Sequence, residues 1–130
     1  MARTRLLFAC LALATPLVPA TAQAAPLSAP LPASGLVLST RSEMGTLGTT
    51  QLNCEPAGGL HKHAKEACAA LTPHEGDFTK IENPDAACTM ELNPTKATLR
   101  GKWRGKKVVF EEVYSNRCLM LVKTGKVFDF

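Results

Sequence analysis

Four of the five cysteines in this 130-residue chain, Cys54, Cys68, Cys88 and Cys118, follow a leader-like N-terminus, and no other feature limits the fold so strongly. An even set of cysteines in a short exported chain reads as a disulfide framework. Four cysteines allow three connectivities, and spacing alone does not choose among them. The fifth, Cys10, falls in a segment expected to be removed. Arg3 and Arg5 precede an apolar run from Leu6 to Ala14, and Ala22-Gln23-Ala24 fits a small-x-small cleavage site. This is the pattern of a secretory signal peptide. The run is too short for a bilayer, which takes about 20 apolar residues, and Pro16 and Pro19 speak against a core helix. Cleavage is expected near Ala24. The organisation is then a signal peptide over 1–24, a proline-bearing flexible arm over 25–33 and one domain over 34–130.

Losing Arg3 and Arg5 lowers Lys+Arg from 15 to 13 against 11 Asp+Glu, a net charge of +2. That is too weak to argue for a nucleic acid or a membrane surface as partner. A mature chain of about a hundred residues buries a core with a small margin, so bridges would matter to it.

Apolar alternation predicts strands from Leu36 to near Arg41 and from Thr49 to Asn53. Pro56-Ala57-Gly58-Gly59 reads as a chain break. Between His61 and Leu71, Ala64, Ala67, Cys68 and Leu71 fall at i, i+3, i+4 and i+7, which predicts a helix with Cys68 facing inward. Thr72-Pro73 ends it, and Phe78 and Ile81 are spaced to pack in a short helical turn. Residues 83–93 show little periodicity, lie between Pro84 and Pro94, and hold Cys88 near their middle. A segment of this kind reads as an exposed loop suited to binding. Strands are expected again over Ala97–Arg100, over Lys106–Tyr114 with Val108, Val109 and Phe110 as core candidates, and over Gly125–Phe130. Gly101 to Gly105 reads as a hairpin connection, with Trp103 packed on the sheet. The elements together suggest an α+β domain with an antiparallel sheet.

Several segments carry a resemblance. They are Leu36-Val37-Leu38; Leu52-Asn53-Cys54-Glu55-Pro56; Gly59-Leu60-His61 and Ala67-Cys68-Ala69-Ala70-Leu71; Gly76-Asp77-Phe78; Cys88-Thr89-Met90-Glu91; Gly101-Lys102-Trp103-Arg104-Gly105-Lys106; Tyr114-Ser115-Asn116-Arg117-Cys118; and Val127-Phe128-Asp129-Phe130. In this order, with four cysteines in register, the chain resembles the Streptomyces subtilisin inhibitor family from about Leu36 to Phe130. The resemblance implies a five-stranded antiparallel sheet with two short helices on one face, bridges Cys54–Cys68 and Cys88–Cys118, and a homodimer formed through the sheet. It also implies a reactive bond between Met90 and Glu91, the P1 and P1′ residues, with Cys88 at P3 and Thr89 at P2. The chain departs from the family pattern at Lys62, where proline is common, at Leu92, where an aromatic is common, and at the polar Thr95-Lys96-Ala97.

The chemistry of such a loop follows from its residues. A serine protease binds an extended segment, places P1 in a pocket and attacks its carbonyl against an oxyanion hole. An inhibitor of this kind is a substrate whose loop is already in the bound shape, so little ordering entropy is lost. Cys88 would fix the loop two residues before the scissile bond, Pro94 would restrict the far side near Leu92, and the Asn116 amide would brace the loop carbonyls. Met90 is unbranched and apolar, which suits the S1 pocket of subtilisin-like and chymotrypsin-like enzymes and not the acidic pocket of trypsin. No catalytic residues, cofactor or metal are expected. His61 and His63 near Cys68 hint at a metal site, but the exported context favours a disulfide, which leaves the histidines as surface residues. The basic hairpin Arg100, Lys102, Arg104, Lys106 and Lys107 reads as a solvated turn. The alternative function is a binding or substrate protein of the same fold, one that controls a metalloprotease or serves as a transglutaminase acceptor through Gln51 or surface lysines.

Overall fold

The computed structural model describes residues 30–45, 47–81 and 86–130. The signal peptide expected over 1–24, and the flexible arm as far as residue 29, lie outside the described residues. Five antiparallel strands form one sheet: β1 (Ser34–Ser42), β2 (Leu47–Cys54), β3 (Gly58–Gly59), β4 (Thr95–Trp103) and β5 (Lys106–Tyr114), in the order β3-β2-β1-β4-β5. Helices α1 (Ala64–Leu71) and α2 (Arg117–Thr124) pack on one face, and the bridges are Cys54–Cys68 and Cys88–Cys118. This is the architecture and pairing that the resemblance implies.

Alternation dictates the layering. In β1, Leu36, Leu38, Thr40 and Ser42 turn inward while Val37 and Arg41 turn out. The central register Leu38↔Leu99 and Leu38↔Thr50 lines up the inward residues of three strands. On that face lie Ala67, Cys68 and Leu71 of α1 and Met120 of α2, all buried. The spacing that predicted α1 therefore gives its buried face, although regular helix starts at Ala64 and not at His61. Phe78 enters the core from a 3-10 turn (Phe78–Lys80) capped by the Asp77 carboxylate, and its ring meets Phe110 edge-on at 3.8 Å. Trp103 is buried, with Gly76 against its ring. A Cβ at Gly76 would come within 2.7 Å of that ring, and its φ of +80° is one that glycine adopts freely.

The sequence reading needs correcting at the C-terminus. Gly125–Phe128 is a 3-10 helix and not a strand. Val127 and Phe128 are consecutive and both wholly buried, which a strand with one solvated face does not permit. The segment is instead wedged between α1 and α2. The fifth strand is Gly58–Gly59, where a break was expected. The turn after Cys54 carries the chain back beside β2, and Gly59 approaches so closely that a Cβ would lie 2.4 Å from the Gln51 carbonyl oxygen. His61 is buried and not a surface residue: its Nε2 lies 3.0 Å from the Val127 carbonyl, its Nδ1 accepts the His63 N–H, and its ring meets Phe130 edge-on. Val109 faces solvent at 57% exposure, because the β5 alternation turns Val108 and Phe110 inward. The hairpin connection is only Arg104-Gly105, since Trp103 completes β4.

A charged hub closes this end of the helical layer. Asp129 sits among Lys126, Lys62, His63 and Arg117 at 2.7 to 4.0 Å. The Lys126 ammonium, and then Lys62, hold its carboxyl below the usual range against the opposing pull of partial burial.

Candidate functional site

The segment 86–94 has no regular structure and joins the sheet at Thr95. Its tip carries two apolar side chains in solvent: Met90 is 98% exposed and Leu92 79%. Thr89 and Glu91 are also exposed. Apolar side chains held in water need a reason, since burying each would stabilise the chain by about 1.5–3 kcal/mol.

What holds this tip is a set of ties at its base. Cys88 is joined to Cys118 in the first turn of α2, with Cα atoms 5.8 Å apart. Asn116, itself buried, stands between the helix and the loop. Its Oδ1 accepts the Leu119 N–H at 2.9 Å and caps α2. Its Nδ2 donates to the Thr89 carbonyl at 3.2 Å and to the Glu91 carbonyl at 2.8 Å. One side chain thus grips the carbonyls on either side of Met90 and leaves the Met90 carbonyl ungripped. Beyond the tip, the Asn93 N–H donates to the Ser115 carbonyl and the Glu43 N–H to the Pro94 carbonyl, each at 3.0 Å. The Thr95 hydroxyl donates to the Asn93 carbonyl at 3.0 Å. Covalent and hydrogen-bonded ties therefore flank Met90, Glu91 and Leu92 on both sides.

Of the residues singled out from the sequence, Cys88, Thr89, Met90, Glu91 and Asn116 are brought together here. Leu92 projects into solvent, and Pro94 adjoins the first residue of β4. Cys54 and Cys68 lie apart, inside the core. Sequence reasoning missed Asn93, Ser115 and the Glu43 backbone. The last two act through main-chain atoms, for which no side-chain signal exists. Tyr114, next to Ser115 at the end of β5, is half-buried and donates to the Glu112 carboxylate; burial, and then Glu112, push its ionisation well above the usual phenol range. Glu55 and Arg104 pair at the opposite end of the sheet, and the guanidinium hydrogen bond lowers the Glu55 carboxyl.

Comparison with known proteins places the chain in a family. The family model described as subtilisin inhibitor-like matches residues 32–116. Protease inhibitor SIL-V5 of Streptomyces luteoverticillatus is 38% identical over 89 residues, 66% of this chain and 82% of that protein. A probable subtilase-type protease inhibitor of Streptomyces avermitilis is 37% identical over 104 residues, 75% of this chain and 72% of that protein. The transglutaminase-activating metalloprotease inhibitor of Streptomyces mobaraensis is 39% identical over 66% of this chain and 60% of that protein. A chain in the crystal structure of Streptomyces caespitosus sermetstatin in complex with Bacillus licheniformis subtilisin matches with a TM-score of 0.61 and 26% identity, over 75% of this chain and 98% of that one. With the family model matched over well more than half of its length, and relatives more than a third identical, the chain belongs to the subtilisin inhibitor-like family.

Proposed function

We propose that this chain is a secreted inhibitor of subtilisin-like serine proteases, acting as a substrate that binds well and is released badly, with Met90–Glu91 as the scissile bond. The observation that carries this reading is the Asn116 amide, which holds the P2 and P1′ carbonyls beside a disulfide at P3. The P1 carbonyl stays open to an attacking serine and an oxyanion hole. The loop is in place before the protease arrives, so association does not have to order it. Met90 fills an apolar S1 pocket and offers no charge to an acidic one. Chymotrypsin-like enzymes are the second class its shape suits.

Incubation of the mature protein with subtilisin, trypsin and a neutral metalloprotease tests the reading. Strong subtilisin inhibition, weak trypsin inhibition and a slow nick after Met90, seen by mass spectrometry, are expected. Met90→Gly should abolish subtilisin inhibition while the fold survives. Tight trypsin inhibition with cleavage elsewhere would refute the Met90 assignment. Metalloprotease inhibition untouched by Met90→Gly would favour the second reading, which the Streptomyces mobaraensis relative's name supports.

Two further parts belong to the proposal. Export follows from the signal peptide at 1–24, and a mature N-terminus near Ala25 checks it. A homodimer through the sheet is supported by the outer face, where Val37, Val109 and Val113 are each more than half exposed. Sedimentation of Val109→Lys against the unaltered protein reads that contact.

A further inference from the structure

Strand β5 forms one edge of the sheet, and among the described residues it pairs with β4 alone. Alternate N–H and C=O groups along Lys106–Tyr114 therefore point away from β4 with no strand to meet them. The opposite edge differs, since β3 is only two residues long. An open edge of nine residues is a template for another strand unless its side chains forbid it. Its middle reads Lys106-Lys107-Val108-Val109-Phe110-Glu111-Glu112, two cations before an apolar centre and two anions after it. Laid antiparallel on a copy of itself about Val109, this stretch sets Lys106 opposite Glu112, Lys107 opposite Glu111 and Val108 opposite Phe110. The match also keeps the two faces of the sheet separate. Lys106, Val108, Phe110 and Glu112 fall on the helical face, and Lys107, Val109 and Glu111 on the outer one. A shift of two residues either way puts the lysines against Val, Phe or Tyr, and a shift of one joins opposite faces.

We propose that β5 is a self-pairing edge, which docks antiparallel on the β5 of a second copy of this chain and joins the two five-stranded sheets into one. Charge complementarity names the occupant. Lys106 and Lys107 are exposed and meet no carboxylate among the described residues. Glu112 is exposed, and the Tyr114 hydroxyl, 3.1 Å from its Oε2, leaves the other oxygen to a cation. Glu111 is already shared by Lys96 and Arg100. The pair Lys106–Glu112, formed twice about the two-fold axis, is therefore the one that selects the register. Edge charges of a single sign would keep copies apart; these are ordered so that a copy supplies what each lacks. Such pairing is distinct from packing of the outer faces, which buries side chains and leaves edge amides open. Tyr114 leads into Ser115 at the base of the loop. Two antiparallel strands thus carry their Met90 tips at opposite ends, and both tips stay free. Self-pairing does not depend on the inhibitor reading.

Two measurements decide the matter. Hydrogen exchange of the unaltered protein should find amides between Val108 and Glu112 that exchange freely at low micromolar concentration and slow by about tenfold or more towards millimolar. Protection at every concentration means that a segment of the same chain covers the edge, and free exchange at every concentration means that nothing does. Either result overturns the proposal, and a dimer through the outer face alone gives the second. In sedimentation, Lys106→Glu and Glu112→Lys should each weaken association about tenfold, through two lost pairs and two like-charge contacts. The double variant, or an equimolar mixture of the two single ones, should return it to the unaltered strength. Both positions are exposed and lie on the helical face, so these changes spare the core and the outer-face contact. Equal association in every variant, or no recovery when the charges are exchanged, overturns the pairing.

Discussion

The two disulfides sit in opposite surroundings. Cys54–Cys68 joins β2 to α1 where the protein is already dense: both cysteines are buried, with Leu52, Leu71 and Ala67 wholly buried in the same cluster. Cys88–Cys118 joins α2 to a loop whose next four residues are all exposed. Inside the core a covalent link adds to packing that would bring the two elements together anyway. At the loop it stands in for packing that is missing, since Met90 and Leu92 project into solvent. The lesson is that a loop can be rigid without being buried if its ties are concentrated at the base. The chain-entropy model values the bridges similarly, at roughly 3 kcal/mol for the shorter closed loop and somewhat more for the longer. What separates them is therefore not stability but what each holds still.

The largest effect expected from breaking this contrast is on protease resistance. Removing Cys88 and Cys118 together, both to Ala, should turn the protein from a slowly nicked inhibitor into an ordinary substrate, with nicking at least about a hundredfold faster, the scale of a misplaced reacting group. Cys54→Ala with Cys68→Ala should instead lower the unfolding midpoint and leave nicking of the folded fraction unchanged. Equal nicking in the two pairs would erase the distinction. Next in size, Leu71→Ala, wholly buried on α1, should cost about 2–5 kcal/mol in urea unfolding with no change in the inhibition constant per folded molecule. Asn116→Ala sharpens the comparison from the loop side. Losing the α2 cap should cost about 1 kcal/mol, yet nicking should accelerate far more than that loss of stability accounts for.

The smallest effect is electrostatic. The Asp129 carboxyl titrates below its ordinary value in the folded protein, through Lys126 first and Lys62 second. A depressed carboxylate lends stability above the unfolded value of about 3.9 and withdraws it as pH falls through the folded value. The hub should therefore loosen only below about pH 4, by less than about 1 kcal/mol. Asp129→Asn should flatten that part of a urea-midpoint profile taken between pH 5 and pH 2 without touching inhibition at neutral pH.

How much was legible in the sequence varies with the physics of each segment. Helix α1 was readable because Ala64, Ala67, Cys68 and Leu71 keep one period against a polar outer face. Strand β1 was readable because Leu36 and Leu38 alternate with outward residues. The run Val127-Phe128-Asp129-Phe130 also alternates by eye, but its two layers of cover come from α1 and α2, and nothing local announces that both faces will be dry. Helix α2 was missed although Asn116 stands before it as an N-cap. The Leu-Met-Leu-Val stretch has no polar face of its own, so its period is ambiguous at this length. His61 was misplaced for a related reason: its partners, the Val127 carbonyl and the Phe130 ring, come from a segment 66 positions and more away. At the loop, the residue types of the tip and the cysteine beside it were visible. The ties made by Ser115 and Glu43 were not, because any residue carries the same backbone groups.

The double grip of Asn116 has a kinetic consequence. If Met90–Glu91 is the bond a protease cuts, the acyl and amine ends would both stay hydrogen-bonded to one amide group at the start of one helix. Each stays at a high effective concentration for the other, so rejoining competes with escape. The acyl end would also stay tethered through Cys88–Cys118, so the amine end is the one able to drift, and how long an enzyme stays blocked would follow the hydrogen bond from Asn116 to the Glu91 carbonyl.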